Sequence, residues 1–162
     1  MGTIEDGAPM SVRLSREEAW AVLADAHTGI LTTLRADGTP ITLPVWFVAL
    51  DGHIYVGTPA STRKVARIRR DPRVSFLVES GTRWAELQGV HLTGQARIVE
   101  DPELADRVSA ALVTKYASFR TDRSALPDAT RRHYDVPRAI IEIVPDDRLL
   151  TWDNHRLGLS EE

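Results

Sequence analysis

Cysteine is missing from this sequence of 162 residues. Without thiols the chain cannot form disulfides, use a thiolate nucleophile or bind zinc through sulfur. The sequence also has no apolar run of about 18 residues, the length that a membrane-spanning helix needs. Its first ten residues, MGTIEDGAPM, lack the apolar core of a secretory signal. We therefore expect a cytoplasmic protein that has no membrane partner.

Several catalytic and binding motifs are absent as well. There is no G-x-S-x-G nucleophile elbow and no G-x-G-x-x-G dinucleotide fingerprint. The histidines show no metal-binding spacing such as H-E-x-x-H, so no metal site is predicted. They are His27, His53, His91, His133 and His155.

Charge is unevenly distributed along a chain of ordinary composition, which is 43% hydrophobic and 27% charged. The segment 63–73 contains six basic residues and one acid, Asp71, and so carries +5. Because the whole chain carries −3, the remainder carries −8. A basic island on an acidic protein predicts an anionic ligand held at one place. It does not indicate a nucleic-acid partner, since that would favour a basic domain throughout.

The pattern of turns predicts an antiparallel sheet in a single domain. Ser15 to Glu18 forms a capping box that should begin a helix ending near His27, and Asp101-Pro102 should begin another. Asp37-Gly38 and Asp51-Gly52 are hairpin turns. The predicted strands are 29–35, 40–50, 53–58, 74–79, 84–99 and 139–144, the last continued by 149–152. The prediction is a mainly β or α+β fold, with about six strands in a small closed barrel and a few helices.

The stretch VGTPASTRKVARIRRDPRV, residues 56–74, contains an electrostatic conflict. It predicts a helix opening near Ser61, with Arg63 and Lys64 in the first turn, where the helix dipole disfavours cations. A bound phosphate resolves the conflict, because it accepts hydrogen bonds from the free N–H groups and pairs with both cations. Thr58, Ser61 and Thr62 can add hydroxyl donors. The alternative is a solvated basic helix face with Val65 and Ile68 turned inward.

Several segments, in order, resemble the pyridoxamine 5'-phosphate oxidase-like flavin-binding split barrels. They are the ADGTP turn, LPVWF (Leu43–Phe47), IYVGT with STRK and RRDPRV, then ELQGVHLTGQARIVED and TWD. The resemblance covers about residues 15–152. It implies a six-stranded antiparallel split barrel there, between a flexible N-terminus at 1–14 and a C-terminal tail at 153–162.

The resemblance also implies a cofactor site. A Thr and an Arg-Lys pair hold the cofactor phosphate in this family, and Thr58, Arg63 and Lys64 have the matching spacing. The flavin ring lies along the second strand at a dimer interface, which places Pro44, Val45 and Trp46 beside it. Trp84 and Gln88 are the candidates that a second subunit contributes. No side chain is predicted to be a catalytic residue, because the cofactor carries the chemistry.

One departure from the family pattern limits the activity. Oxidases that make pyridoxal 5'-phosphate carry an Arg and a Lys on the second strand, whereas the corresponding positions here are Thr42 and Phe47. This argues against that activity and fits better with reductases that use FMN or the deazaflavin coenzyme F-420. Arg67 and Arg70 could contact the acidic tail of a deazaflavin, or simply form a solvated helix face.

The resulting hypothesis is a homodimeric oxidoreductase with FMN or coenzyme F-420. It transfers a hydride or an electron to a small organic substrate that the sequence does not identify. The alternative is a non-catalytic split barrel that stores or senses a flavin or haem.

Overall fold

The computed structural model describes residues 11–159. Over this range the chain forms four α-helices and seven strands. The helices are α1 (Arg16–Asp25), α2 (Arg63–Arg70), α3 (Pro102–Tyr116) and α4 (Asp128–Tyr134). The strands are β1 (Gly29–Leu34), β2 (Pro40–Val45), β3 (Val48–Leu50), β4 (His53–Pro59), β5 (Arg73–Ser80), β6 (Gln88–Ile98) and β7 (Arg138–Asp153).

All seven strands belong to one antiparallel sheet in the order β2-β1-β5-β6-β7-β4-β3. The predicted antiparallel split-barrel architecture is confirmed, and so are both hairpin turns. The predicted number of six strands is wrong, because the segment 40–50 is two strands. One half pairs with β1 and the other with β4.

Tyr116 explains why this segment divides. Its hydroxyl accepts a hydrogen bond from the Phe47 N–H at 2.9 Å and lies 2.9 Å from the Phe47 carbonyl oxygen. The same hydroxyl is 2.8 Å from the carbonyl oxygen of His27, to which it can also donate. The backbone of Phe47 therefore bonds to a side chain of α3 rather than to a neighbouring strand.

The prediction of one strand over 84–99 is also wrong at its start. Residues Trp84–Glu86 form a short 3-10 turn, because the Glu86 carboxylate accepts the N–H groups of Thr82 and Arg83 at 3.2 and 3.1 Å. Further along this strand, the β6–β7 register shifts between Leu92 and Gly94. A Cβ atom at Gly94 would come within 2.4 Å of the Val144 carbonyl oxygen, so the strands approach too closely for any other residue.

Two hydrophobic clusters stabilise the domain. The larger fills the barrel interior with residues such as Phe47, Ile54 and Phe76, and α1 adds Ala19 and Leu23 to it. The smaller lies on the outer face of β3, β4 and β7, where Val108 of α3 covers them. Val65 and Ile68 of α2 are buried, as the alternative interpretation of the basic helix required.

The predicted helix caps are present. Ser15 accepts the N–H of Glu18 while the Glu18 carboxylate accepts the N–H of Ser15, at 3.2 and 2.7 Å. Asp101 accepts the N–H of Glu103 at 3.0 Å and Pro102 takes the first helical position. Each of these helices therefore begins where the sequence predicts.

Both predicted terminal segments extend beyond the described residues, which exclude 1–10 and 160–162. Within the described part, the Asp153 N–H donates to the Val12 carbonyl at 2.7 Å, and the Leu14 N–H donates to Thr151 Oγ1 at 3.0 Å. Residues 12 and 14 thus lie along β7. Between residues 11 and 159, no helix is both long and apolar enough to span a bilayer.

Candidate cofactor site

The candidate phosphate site is the bend between β4 and α2, residues 58–64, called the basic bend below. The Thr62 N–H donates to the Pro59 carbonyl at 3.2 Å, and the Ala60 N–H donates to the Pro137 carbonyl at 2.8 Å. Thr62 is the N-cap residue of α2, but its hydroxyl makes no capping hydrogen bond. The first-turn N–H groups of α2 therefore lack the side-chain acceptor that Ser15 and Asp101 supply to α1 and α3.

Three of the predicted phosphate contacts converge in the basic bend. Lys64 Nζ donates to Thr58 Oγ1 at 3.2 Å, and the hydroxyl oxygens of Thr58 and Thr62 are 3.4 Å apart. Thr58 is only 2% exposed, so its hydroxyl is fixed by the barrel wall. Ser61 and Arg63, by contrast, are exposed on the outside of the bend.

The charge of the basic bend is not compensated by the described part of the protein. Between residues 11 and 159, no carboxylate forms an ion pair with Arg63, Lys64 or Arg67. The acid of the segment, Asp71, pairs instead with Arg73 at 2.7 Å, and hydrogen bonds from Arg73 lower the Asp71 pKa to about 2.

Burial lowers the pKa of Lys64, and the neighbouring positive charges of Arg67 and Arg138 lower it further. A half-buried ammonium surrounded by cations is unfavourable unless an anion joins it. The basic bend is therefore suited to a phosphate or a similar anion.

Arg138 is the residue that sequence reasoning missed. It begins β7 and pairs with Pro59 at the end of β4. A Cβ atom on Gly57 would lie 3.6 Å from Arg138 Nη2, so the guanidinium lies close to the β4 backbone. Burial lowers the Arg138 pKa, as do the charges of Arg120 and Arg123. No local motif could have revealed this contact, because β4 and β7 are far apart in sequence.

Arg67 and Arg70 connect α2 to β1. Arg67 Nε donates to the buried Thr33 hydroxyl at 2.7 Å, and Arg70 Nη2 donates to the Leu34 carbonyl at 3.0 Å. Of the two interpretations left open for these arginines, the contacts favour a structural one, in which they hold the helix against the barrel.

The residues predicted to line the ring lie at the end of β2, an edge strand that pairs only with β1. Val45 is 8% exposed and its side chain belongs to the core, whereas Pro44 is exposed. The Trp46 indole stacks on Tyr116 with a centroid distance of 4.3 Å and an interplanar angle of 1°. One indole face is therefore occupied by the protein itself, and β2 offers mainly backbone groups and Pro44.

The two candidates for the second subunit differ in their surroundings. Trp84 is 63% exposed, although Asn154 Nδ2 donates to its carbonyl at 2.7 Å and fixes its backbone. Gln88 Nε2 donates to Asp153 Oδ2 at 3.1 Å, so its side chain already has a partner in the same chain. Trp84 is the better placed of the two to contact another molecule.

A cavity of about 750 Å³ opens where α1 ends against the sheet, called the α1 cavity below. Pro44 and Gln88 are the two predicted site residues that line it. The complete lining is Ala21, Val22, Asp25, Ala26, His27, Thr28, Ile30, Pro44, Val78, Glu79, Ser80 and Gln88. No residue of the basic bend belongs to this lining.

A second charged cluster lies beneath α3, around Glu142 of β7. This carboxylate is 3% exposed and accepts hydrogen bonds from His53 Nδ1 at 2.7 Å, from the Tyr55 hydroxyl at 3.0 Å, and from Arg97 Nε. Burial alone would raise the Glu142 pKa, but the hydrogen bonds from Arg97, His53 and Tyr55 outweigh it and lower the pKa. Burial and the Glu142 carboxylate raise the pKa of Tyr55 to about 12.

Comparison with known proteins identifies the family. The family model described as pyridoxamine 5'-phosphate oxidase matches residues 15–151. A conserved hypothetical protein of Mycobacterium tuberculosis is 34% identical, with a TM-score of 0.79 over 94% of this chain and 92% of that one. No curated protein matches the chain significantly. This chain belongs to the pyridoxamine 5'-phosphate oxidase-like split-barrel family.

More distant structures share the fold but differ in what they bind. An F-420 reductase is 23% identical, with a TM-score of 0.59 over 80% of this chain and 94% of that one. A haem storage protein of Vibrio cholerae is 18% identical, with a TM-score of 0.65 over 88% of this chain and 96% of that one. At these identities the likeness extends to the fold alone, so the ligand has to be argued from the residues of this chain.

Proposed function

We propose that the protein is an oxidoreductase with a flavin-type cofactor, either FMN or coenzyme F-420, that acts on a small organic substrate. The uncompensated positive charge of the basic bend, at the uncapped end of α2, is the observation that carries the proposal. Family membership supports it, because it makes a phosphorylated cofactor the natural anion for this place.

The residues present fit the phosphate group that both cofactors contain. Thr58 and Thr62 offer hydroxyls, and the first turn of α2 offers backbone N–H groups. Lys64 supplies a point charge, while the exposed Arg63 can rotate to form a bidentate pair. Each charge-assisted bond is worth roughly 1.5–3 kcal/mol, more than the cost of under about 1 kcal/mol for a cation against the helix dipole.

The bound cofactor would supply hydride or electron transfer, and the protein would orient it. Pro44 and the free backbone edge of β2 are the surface along which we place the ring. Trp46 contributes indirectly, because its stacking on Tyr116 and the hydrogen bonds of Phe47 fix the direction in which β2 ends.

A second copy of the chain is the partner that we propose for the outer face of the sheet. Pro44, Ile30, Leu77, His91 and Leu150 occupy successive register positions across β2, β1, β5, β6 and β7. All are partly or fully exposed, and Leu150 is 56% exposed. Four of the five are apolar, and such a row favours burial against another subunit. That contact would bring the exposed Trp84 of the second subunit to the interface.

Lys64→Ala tests the proposal directly. We expect affinity for the cofactor to fall by about tenfold or more, since one charge-assisted bond is lost. Titration with FMN and with coenzyme F-420, followed by absorption, measures this. Arg69→Ala is the matched control, because Arg69 is an exposed cation at the other end of the same helix. Equal affinity of wild type and Lys64→Ala for both cofactors would exclude this role.

The choice between the two cofactors needs a host that makes both. The absorption spectrum of the purified protein then identifies the one bound, because a flavin and a deazaflavin absorb at different wavelengths.

The similarity to a haem storage protein keeps storage or sensing as the second candidate function. A storage protein should bind its ligand through the basic bend but show no turnover. Reduction of the bound cofactor by a nicotinamide or other reduced donor, followed by reoxidation with a small organic acceptor, supports the enzyme. Binding of haem in preference to both flavins supports storage.

A further inference from the structure

The α1 cavity has no role in holding the cofactor phosphate. Its volume of about 750 Å³ lies within the roughly 300–1,000 Å³ typical of small-molecule sites. It lies between the last turns of α1 and the adjoining ends of β1, β2, β5 and β6, and its lining contains no residue of the basic bend.

The walls of the α1 cavity combine apolar surface with negative charge. Val22, Ala26, Ile30 and Val78 supply aliphatic contacts, while Asp25 and Glu79 are exposed carboxylates at its rim. Its twelve lining residues include two acids and no lysine or arginine. Two carboxylates at one concave site create a negative potential there, which attracts cations and repels anions.

One nearby cation modifies this field without entering the cavity. Asp25 interacts electrostatically with Lys115 and raises its pKa, although burial lowers that pKa more. The Lys115 ammonium lies 4.0 Å from the centroid of Phe47, and Lys115 does not line the cavity. Lys115 therefore offsets part of the charge of Asp25, while Glu79 keeps the rim negative.

We infer that the α1 cavity binds the organic substrate, and that this substrate has an apolar, ring-sized body and a cationic group. Calling the occupant a substrate rests on the proposed function, because Pro44 lies both on the proposed ring surface and in the cavity lining. The charge preference depends on Asp25 and Glu79 of the lining, whereas Pro44 and Ile30 of the same lining also belong to the row proposed to face a second subunit.

Three small probes of similar shape test this selectivity. Benzamidine, benzamide and benzoate carry positive, zero and negative charge on the same ring. We expect benzamidine, titrated into cofactor-free ¹⁵N-labelled protein, to shift the amide signals of Val22, Ile30 and Val78. Its affinity should exceed that of benzoate by about tenfold, equivalent to about 1.4 kcal/mol.

Two carboxylate variants locate the charge preference. The double variant Asp25→Asn with Glu79→Gln should bring the affinities for benzamidine and benzoate within about twofold of each other. Both residues are exposed, so folding should be unaffected. Asp106→Asn is the control, because this exposed acid of α3 does not line the cavity and its removal should leave the preference intact.

The inference is wrong if no probe shifts the cavity amides, or if benzoate binds as well as benzamidine. It is also wrong if the double variant keeps the full preference. These results are independent of the cofactor, since Lys64→Ala should not change benzamidine affinity. Failure of the cofactor titration would refute the proposed function and leave the charge selectivity of the cavity standing.

Discussion

The paired strands β4 and β7 carry two charged regions. In one region the charges are paired, and in the other they are not. At Tyr55 and Glu142 a buried carboxylate is surrounded by three hydrogen-bond donors. At the other end of the same ladder, beside Thr58, the cations Lys64 and Arg138 have no carboxylate partner between residues 11 and 159. The first arrangement is complete without a ligand, whereas the second lacks a counter-charge.

From this contrast we infer that the paired charges around Glu142 stabilise the fold, whereas the unpaired cations of the basic bend serve to bind an anion. Buried charged groups are tolerated when paired and hydrogen-bonded, and are costly otherwise. Residues of the Glu142 cluster should therefore matter for stability and little for binding. Residues of the basic bend should matter for binding and contribute nothing, or negatively, to the stability of the cofactor-free protein.

Removal of Glu142 should have the largest effect on stability. Glu142→Ala leaves the Tyr55 hydroxyl without its acceptor and the Arg97 and His53 side chains without their shared anion. We expect the free energy of unfolding to fall by about 2–4 kcal/mol, measured by urea denaturation. Glu103→Ala, an exposed acid of α3, should change it by under about 0.5 kcal/mol. A loss of stability in Glu142→Ala no larger than that in Glu103→Ala would show that the Glu142 cluster does not stabilise the fold.

The Glu142 contribution should also depend on pH. Because the folded-state pKa is lowered from its ordinary value of 4.5, the stabilisation is fully present above that value and is lost as the pH falls through the folded-state pKa. We expect the difference in urea midpoint between wild type and Glu142→Gln to shrink as the pH falls below 4.5. A difference that stays constant from about pH 6 to about pH 3 would show that folding does not lower the Glu142 pKa.

Lys115 is a second cation, away from the basic bend, that forms no ion pair within residues 11–159. Its Nζ atom is buried and has no hydrogen-bond partner between residues 11 and 159. Lys115→Met should raise the free energy of unfolding by about 1 kcal/mol near neutral pH, with part of the gain offset by the lost contact with the Phe47 ring. Because burial lowers the folded-state pKa, the gain should disappear as the pH rises to the ordinary value of 10.5. Cofactor affinity should be unchanged, and a loss of affinity would connect Lys115 to the site.

The smallest expected effect belongs to Lys64. Lys64→Met removes a cation that Arg67 and Arg138 repel, so the cofactor-free protein should gain up to about 0.5 kcal/mol of stability. Thermal denaturation without and with saturating cofactor measures the stability of the cofactor-free protein and the additional stability that bound cofactor provides. The variant should show a higher midpoint alone and a smaller increase on adding cofactor. A lower midpoint without cofactor would mean that the Lys64–Thr58 hydrogen bond is structural.

Local signals predicted the hairpin turns, the start of α1 and the buried face of α2 well. The capping box at Ser15, the Asp-Gly turns and the inward positions of Val65 and Ile68 each depend on residues a few places apart, and each is confirmed. The placement of Thr58, Thr62 and Lys64 around one point also follows from local spacing along one strand, turn and helix.

The features that sequence reasoning missed depend on contacts between distant segments. The division of the segment 40–50 requires the hydroxyl of Tyr116, and Arg138 reaches the site only because β7 pairs with β4. The Glu142 cluster likewise draws on three strands. The α1 cavity forms where α1 meets the ends of four strands, so its shape has no local sequence signature.

The hydrogen bond from the Phe47 N–H to the Tyr116 hydroxyl links the position of α3 to that of the proposed ring surface. The hydroxyl of one tyrosine determines where the edge strand stops, and the same ring supports Trp46. Small shifts of α3 would therefore be transmitted to the strand beside which electron transfer is proposed. Variation in α3 among relatives could thus alter redox behaviour or substrate fit while every residue touching the cofactor stays the same.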